Sequence, residues 1–144
     1  MIGIVIVAHG GLAREFLAAV EHVVGRQPGI RAIAIDPDSD RAAKQREICE
    51  AADRVDTGGG VVVATDMFGG SPSNLSLRAC AQEDRHIVYG ANLPLLIKLA
   101  KSRHLPMAEA IQRALMAGRK YIDTISGPIG TVVPMTQART ATHG

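Results

Sequence analysis

Four short apolar runs, each followed by a segment with helical periodicity, constrain the fold of this chain more than any other feature. The runs cover residues 2–8, 30–35, 60–67 and 86–91, and Ile, Val and Ala dominate them. Continuous apolar runs of this kind are typical of strands that are buried on both faces of a parallel sheet. The alternation therefore predicts an α/β domain, in which right-handed crossovers connect the parallel strands.

The segments between and after these runs predict five helices. Their predicted first or capping residues are Leu12, Ser39 or Asp40, Ser71, Asn92 and Pro106. Glycine is the most common residue just beyond a helix, so Gly25 and Gly118 are expected to end the first and last helices. The sequence KYIDTI at residues 120–125 has strand character. Residues 126–144 show little periodicity and are expected to form a tail after a domain that covers residues 1–125.

Composition excludes several functional classes. The chain has 144 residues and a formal net charge of +2, which gives no basic footprint for a nucleic acid or an anionic membrane. No apolar run reaches the roughly 18 residues that a membrane span needs. Cys49 and Cys80 have neither disulfide-framework nor zinc spacing, and are expected to be buried free thiols. We expect a soluble, cytoplasmic protein with no direct membrane insertion.

A histidine and an aspartate lie at the carboxyl ends of two of the predicted strands. His9 comes directly after the first run, and Asp66 lies at the end of the third. In open parallel sheets, chemistry takes place beyond the carboxyl ends of the strands. If these two strands are neighbours, Asp66 can accept the proton of one imidazole nitrogen, which leaves the other free to act as a nucleophile. The alternatives are that Asp66 caps the following loop and that His9 is a structural histidine.

Glycines surround both residues. Gly10 and Gly11 leave one side of His9 open to an approaching partner, and Gly69, Gly70 and Ser71 follow Asp66 as a turn that leads into a helix. Backbone N–H groups in such a turn, together with the helix N-terminus and the Ser71 hydroxyl, are suited to binding a phosphoryl group.

The remaining sequence favours phosphoryl transfer through a phosphohistidine. The other four histidines have no companion at metal-ligand spacing, so no metal is expected. No GxxxxGK[ST] motif occurs, so ATP is a less suitable phosphoryl donor than another phosphoprotein. No cofactor is expected.

Three motifs together resemble a known family. IVIVAHGGLA, VVVATDMFGGSPSN and GANLPLL look like the enzyme IIA component of the mannose family of the bacterial phosphoenolpyruvate-dependent sugar phosphotransferase system. The resemblance implies that His9 accepts phosphate from the phosphocarrier protein HPr and passes it to an enzyme IIB component, in carbohydrate uptake or its regulation. It also implies that Asp66 holds the imidazole through Nδ1, and that Gly10 and residues 68–71, including Phe68, border or bind the phosphoryl group.

The resemblance further implies the architecture. Family members have a four-stranded parallel sheet of order 2-1-3-4 with helices on both faces. They are homodimers in which a C-terminal antiparallel edge strand is exchanged, and residues 120–125 are the matching segment here.

Two other functions are compatible with parts of the sequence. The phosphotransferase subunit of dihydroxyacetone kinase has a similar fold and an early histidine, but Ser usually follows that histidine where this chain has Gly10. Tetrapyrrole metal chelatases also open with a strand that ends in His-Gly, but they need a second histidine where this chain has residues 66–74.

Overall fold

The computed structural model describes residues 1–67, 84–127 and 133–134. In chain order, its elements are β1 (Gly3–His9), α1 (Leu12–Val24), β2 (Ile30–Ile35), α2 (Arg41–Val55), β3 (Val61–Thr65), β4 (Arg85–Val88), α3 (Leu93–Lys101), α4 (Met107–Lys120), β5 (Ile125–Ser126) and β6 (Val133–Pro134). The predicted helix over residues 71–82, Cys80 and most of the predicted tail lie outside the described residues. The domain boundary at residue 125 stays a prediction.

The first four strands form one parallel sheet of order β2-β1-β3-β4, which confirms the predicted order. β1 is central, and its Ile4 pairs with Ile30 on one side and with Val62 on the other. Every residue of β1 except His9 is buried, as is every residue of β3. Because both faces of these strands are covered, their sequences are apolar without the alternation of a half-exposed strand.

Helices cover both faces of the sheet, as predicted. Side chains alternate between the two faces of a strand, so β1 contributes to two separate cores. Ile4 and Ile6 pack in a core with residues of α1, α3 and α4. Val5 and Val7 pack in a core with residues of α2. Two apolar residues of α1 face solvent, since Val23 is 55% exposed and Leu12 39% exposed.

Side-chain caps begin two of the helices at the predicted residues. Asp40 Oδ1 accepts hydrogen bonds from the backbone N–H groups of Ala42 and Ala43 at the start of α2. Asn92 Oδ1 accepts the N–H of Leu95 at the start of α3. Each cap satisfies N–H groups that have no partner within the helix, so both predicted caps are confirmed.

Gly118 does not end the last helix, and that prediction is wrong. α4 continues through Gly118 to Lys120. A Cβ atom at position 118 would lie 3.0 Å from the Cβ of Leu95, and the Asn92 side-chain amide donates a hydrogen bond to the Gly118 carbonyl. The glycine therefore allows α4 to approach α3 closely, which is a packing requirement that resembles a stop signal in the sequence.

The predicted strand over residues 120–125 is wrong in its extent. Lys120 belongs to α4, and only Ile125 of this segment is extended, in the short strand β5. Among the described residues, β5 pairs antiparallel with β6 of the same chain, in a separate two-stranded sheet. The exchange of an edge strand between two copies stays a prediction.

A buried arginine closes the amino-terminal edge of the sheet. Arg103, in the turn between α3 and α4, donates from Nε to the Ile2 carbonyl at 2.7 Å and from a terminal guanidinium nitrogen to Gln27 Oε1 at 3.1 Å. The Ile2 N–H in turn donates to the Arg103 carbonyl at 2.9 Å. Three distant parts of the chain therefore meet at this edge.

Candidate active site

His9 is held at the exposed end of a buried strand. It is the last residue of β1, and its side chain is 50% exposed. The chain turns immediately after it: Gly10 has a φ of +57° and donates its N–H to the Ile35 carbonyl at 2.9 Å. A positive φ favours glycine, so Gly10 permits the turn that leaves the imidazole at the surface.

The structure brings His9 and Asp66 together, as their positions on neighbouring strands predict. The ladder between β1 and β3 ends with the pair Val7 and Thr65, and Asp66 is the next residue of the chain. Asp66 Oδ2 lies 2.9 Å from His9 Nδ1. The same oxygen accepts the backbone N–H of His9 at 3.2 Å. One carboxylate oxygen therefore holds both the imidazole ring and the backbone from which it projects.

The contacts with His9 keep Asp66 ionised. Burial alone would raise the pKa of Asp66, because it disfavours the charged carboxylate. Hydrogen bonds from the His9 ring and backbone, with the Coulomb attraction of His9, outweigh burial and lower the pKa of Asp66 below its ordinary value. Asp66 is therefore a carboxylate at neutral pH, and it accepts a hydrogen bond from Nδ1–H.

This arrangement selects one tautomer of the imidazole. A carboxylate that accepts from Nδ1–H leaves the lone pair on Nε2. No group among the described residues forms a hydrogen bond with Nε2. In the neutral ring, Nε2 therefore carries a free lone pair, and the largely buried Asp66 holds the ring in place.

The glycines after His9 leave space beside it. A Cβ atom built at Gly10 or Gly11 meets no other atom within 4 Å. These two residues therefore place no side chain in the path of a molecule that approaches His9. The remaining candidate residues, Phe68, Gly69, Gly70 and Ser71, lie outside the described residues.

Thr65 contributes to the site and is absent from the sequence-based candidates. Its side chain is fully buried, and its hydroxyl donates to the Met67 carbonyl at 3.3 Å. Its own carbonyl accepts the N–H of Ala91. Thr65 therefore stabilises the turn in which Asp66 lies. A threonine next to the aspartate at the end of a strand is the only signal in the sequence, and it is a weak one.

Neither a metal cluster nor a membrane-spanning helix is found in residues 1–67 and 84–127. No three His, Cys, Asp or Glu side chains in these ranges are close enough to hold a metal ion together. None of the helices there is both long and apolar enough to cross a bilayer. Cys49 is half-buried and not fully buried as predicted.

Comparison with known protein families identifies the chain. Residues 3–116 match the model of the EIIA-man family, described as PTS system fructose IIA component. The chain belongs to this family. The match supports the mannose-type IIA interpretation over the dihydroxyacetone kinase subunit and the tetrapyrrole chelatase. PTS denotes the phosphoenolpyruvate-dependent sugar phosphotransferase system, whose IIA proteins are phosphotransferase intermediates.

Curated relatives agree with this assignment. The chain is 26% identical over 141 residues to the PTS system mannose-specific EIIAB component of Escherichia coli, with 95% of this chain aligned. The alignment covers 44% of that relative's length, so this chain corresponds to a little under half of the relative. It is also 23% identical to the PTS system sorbose-specific EIIA component of Lacticaseibacillus casei, covering 89% of this chain and 94% of that protein.

Solved structures share the fold. A PTS IIA protein associated with the fucose utilization operon of Streptococcus pneumoniae is 29% identical, with a TM-score of 0.70 over 79% of this chain and 88% of that one. A mannose/sorbose-specific IIA subunit from Enterococcus faecalis gives a TM-score of 0.77 at 23% identity, covering 90% of this chain and 98% of that one.

Proposed function

We propose that the chain is a phosphocarrier that accepts a phosphoryl group from phospho-HPr on Nε2 of His9 and transfers it to an enzyme IIB component. The observation that supports this most directly is the hydrogen bond between His9 Nδ1 and Asp66 Oδ2. In the neutral imidazole, this hydrogen bond leaves the lone pair on Nε2, which an in-line attack on phosphorus requires.

In the proposed step, the Nε2 lone pair forms a bond to phosphorus while the P–N bond of phospho-HPr breaks. The electron pair of that bond stays on the HPr imidazole. Since His9 keeps its proton on Nδ1, its phosphorylated ring gains positive charge. The neighbouring Asp66 carboxylate offsets this charge and so stabilises the phosphorylated form.

A second displacement at phosphorus delivers the phosphoryl group to IIB. A nucleophilic side chain of IIB attacks the same phosphorus, and the His9 ring leaves as a neutral imidazole that is again held by Asp66. In this proposal, backbone N–H groups of Gly69 and Gly70 and the Ser71 hydroxyl bind the phosphoryl oxygens, with Gly10 and Phe68 at the border of the site. The carrier acts in the cytoplasm as a homodimer.

Labelled phosphoenolpyruvate with enzyme I and HPr tests the proposal. The native chain should become labelled, and His9→Ala should not, because it lacks the accepting nitrogen. His22→Ala is a matched control, since His22 is an exposed histidine in the last turn of α1, and it should label like the native chain. A native chain that stays unlabelled, or a His9→Ala variant that labels normally, would contradict the proposal.

A further inference from the structure

A groove lies on the surface of the domain, beside the contact between α3 and α4. It has a volume of about 850 Å³. Among the described residues, its apolar lining consists of Pro94 and Ile97 from α3, and Met116, Ala117 and Tyr121 from α4 and the turn after it. We call this the α3–α4 groove. It contains neither His9 nor Asp66.

Positive charge surrounds this apolar lining. The charged side chains that line the groove are Lys98, Lys101, Arg113, Arg119 and Lys120, with no acidic residue among the described lining residues. The chain as a whole has 16 basic and 14 acidic residues, so this local excess is not a reflection of composition.

Most of these cations have no anionic partner within the part of the chain that the structure describes. Arg113 pairs with Glu109 at 2.9 Å, and Lys120 lies 5.3 Å from the centre of the Tyr121 ring. Lys98, Lys101 and Arg119 form no ion pair with any described residue. Unpaired charges around an apolar lining repel one another, and they favour an occupant that brings negative charge.

The shape of the groove favours a protein segment over a small molecule. Small-molecule sites bury most of their ligand. Here Met116 is 64% exposed and Tyr121 66% exposed, so the apolar lining is open to solvent at these residues. An amphipathic helix that inserts apolar side chains at helical spacing fits such an open trough between two helices.

We propose that the α3–α4 groove binds an acidic amphipathic helix of a partner protein. The apolar face of that helix contacts Ile97, Met116 and Tyr121, and its carboxylates pair with Lys98, Lys101 and Arg119. The proposal goes beyond phosphoryl transfer, since no residue of the groove takes part in the proposed chemistry at His9.

The test uses a synthetic helical peptide of about 18 residues, with Leu at spacings of three and four and Glu on its flanks. Its binding to the full chain is measured by fluorescence anisotropy. A peptide with Gln in place of every Glu should bind about tenfold more weakly, because it lacks the charges that complement the groove.

Protein variants identify the binding surface. Lys98→Gln/Lys101→Gln should weaken peptide binding about tenfold. The matched control is Arg41→Gln/Arg46→Gln, which removes the same charge from exposed positions on α2. It should change binding less than about twofold. His9→Ala should bind the peptide normally even if it no longer accepts phosphate, so failure of the two proposals can be distinguished.

Three outcomes would overturn the proposal. The first is the absence of a charge effect: the Glu and Gln peptides bind with the same affinity, or Lys98→Gln/Lys101→Gln and Arg41→Gln/Arg46→Gln change the affinity equally. The second is a chain that does not bind the peptide but sediments with phosphatidylglycerol vesicles, with less sedimentation in Lys98→Gln/Lys101→Gln. This result would assign the groove to a membrane surface. The third is a native chain that does not bind the peptide, together with a Met116→Asp variant that has a smaller oligomeric mass than the native chain. This result would make the groove a contact between copies of the chain.

Discussion

At the scale of single residues, the candidate site depends on one carboxylate oxygen. The proximity of His9 and Asp66 could be predicted, because each lies at the carboxyl end of a strand and the order of those strands was inferred correctly. The second hydrogen bond, from the His9 backbone to the same oxygen, could not be predicted, because it depends on where the Asp66 side chain lies beyond the β1–β3 ladder. The contribution of buried Thr65 also depends on local geometry that no sequence pattern specifies.

Removal of the Asp66 charge should slow phosphoryl transfer without abolishing it. In Asp66→Asn the amide cannot hold the Nδ1–H tautomer as the carboxylate does, so we expect labelling from phospho-HPr to be about 10–100-fold slower. Asp36→Asn is the control, because Asp36 follows β2 at the same edge of the sheet and is exposed. Quench-flow labelling measures both rates. A rate in Asp66→Asn equal to that of the native chain would remove Asp66 from the mechanism.

The same pair should make stability depend on pH in the acidic range. The pKa of Asp66 is lower in the folded protein than its ordinary value of 3.8, so its contribution to stability is fully present above that value. The contribution is lost as the pH falls through the lower, folded-state pKa. The native chain should therefore exceed Asp66→Asn in free energy of unfolding at pH 6, and the difference should shrink below pH 3.8.

Urea unfolding of both proteins across this range measures the effect. A difference that stayed constant from pH 6 to well below pH 3.8 would show that ionised Asp66 does not stabilise the fold.

At the scale of helices and strands, caps were predictable and close contacts were not. Asp40 and Asn92 begin their helices as predicted, because a cap acts on N–H groups within three residues of itself. Gly118 was assigned to the wrong role, because its requirement for glycine comes from α3 and not from its own helix. Residues 120–125 were predicted as a strand from local propensity, whereas α4 extends into them.

A larger side chain at Gly118 should destabilise the contact between α3 and α4. Gly118→Val should cost about 1–3 kcal/mol in free energy of unfolding, because its Cβ must displace Leu95. Gln112→Val is the control, since it introduces the same β-branched residue at an exposed position of α4 and should cost less than about 1 kcal/mol. Chemical denaturation distinguishes the two, and equal losses would refute a packing role for the glycine.

At the scale of the whole molecule, the alternation of strands and helices was enough to predict the class, and the family resemblance supplied the strand order. What neither revealed is how the amino-terminal edge of the sheet is closed. Arg103 is buried there with Ile2 and Gln27, which lie 101 and 76 residues away in sequence. Such a contact has no local signal, because an arginine in a turn between helices is usually a surface residue.

Loss of the Arg103 side-chain hydrogen bonds should lower global stability. Arg103→Met keeps an apolar stem of similar length but leaves the Ile2 carbonyl without its guanidinium donor, at a cost of about 1–3 kcal/mol. Arg26→Met, at an exposed position, should change stability by less than about 0.5 kcal/mol. Thermal unfolding measures both, and an unchanged midpoint for Arg103→Met would show that the contact is incidental.

The Arg103 contact also has a consequence for biosynthesis. β1 is synthesised before its neighbour β3, which begins at Val61, and before Arg103, which closes the end of the sheet. Until Arg103 has been translated, this apolar segment lacks part of its native surroundings. We therefore expect nascent chains that stop short of Arg103 to expose β1 and to need protection from aggregation.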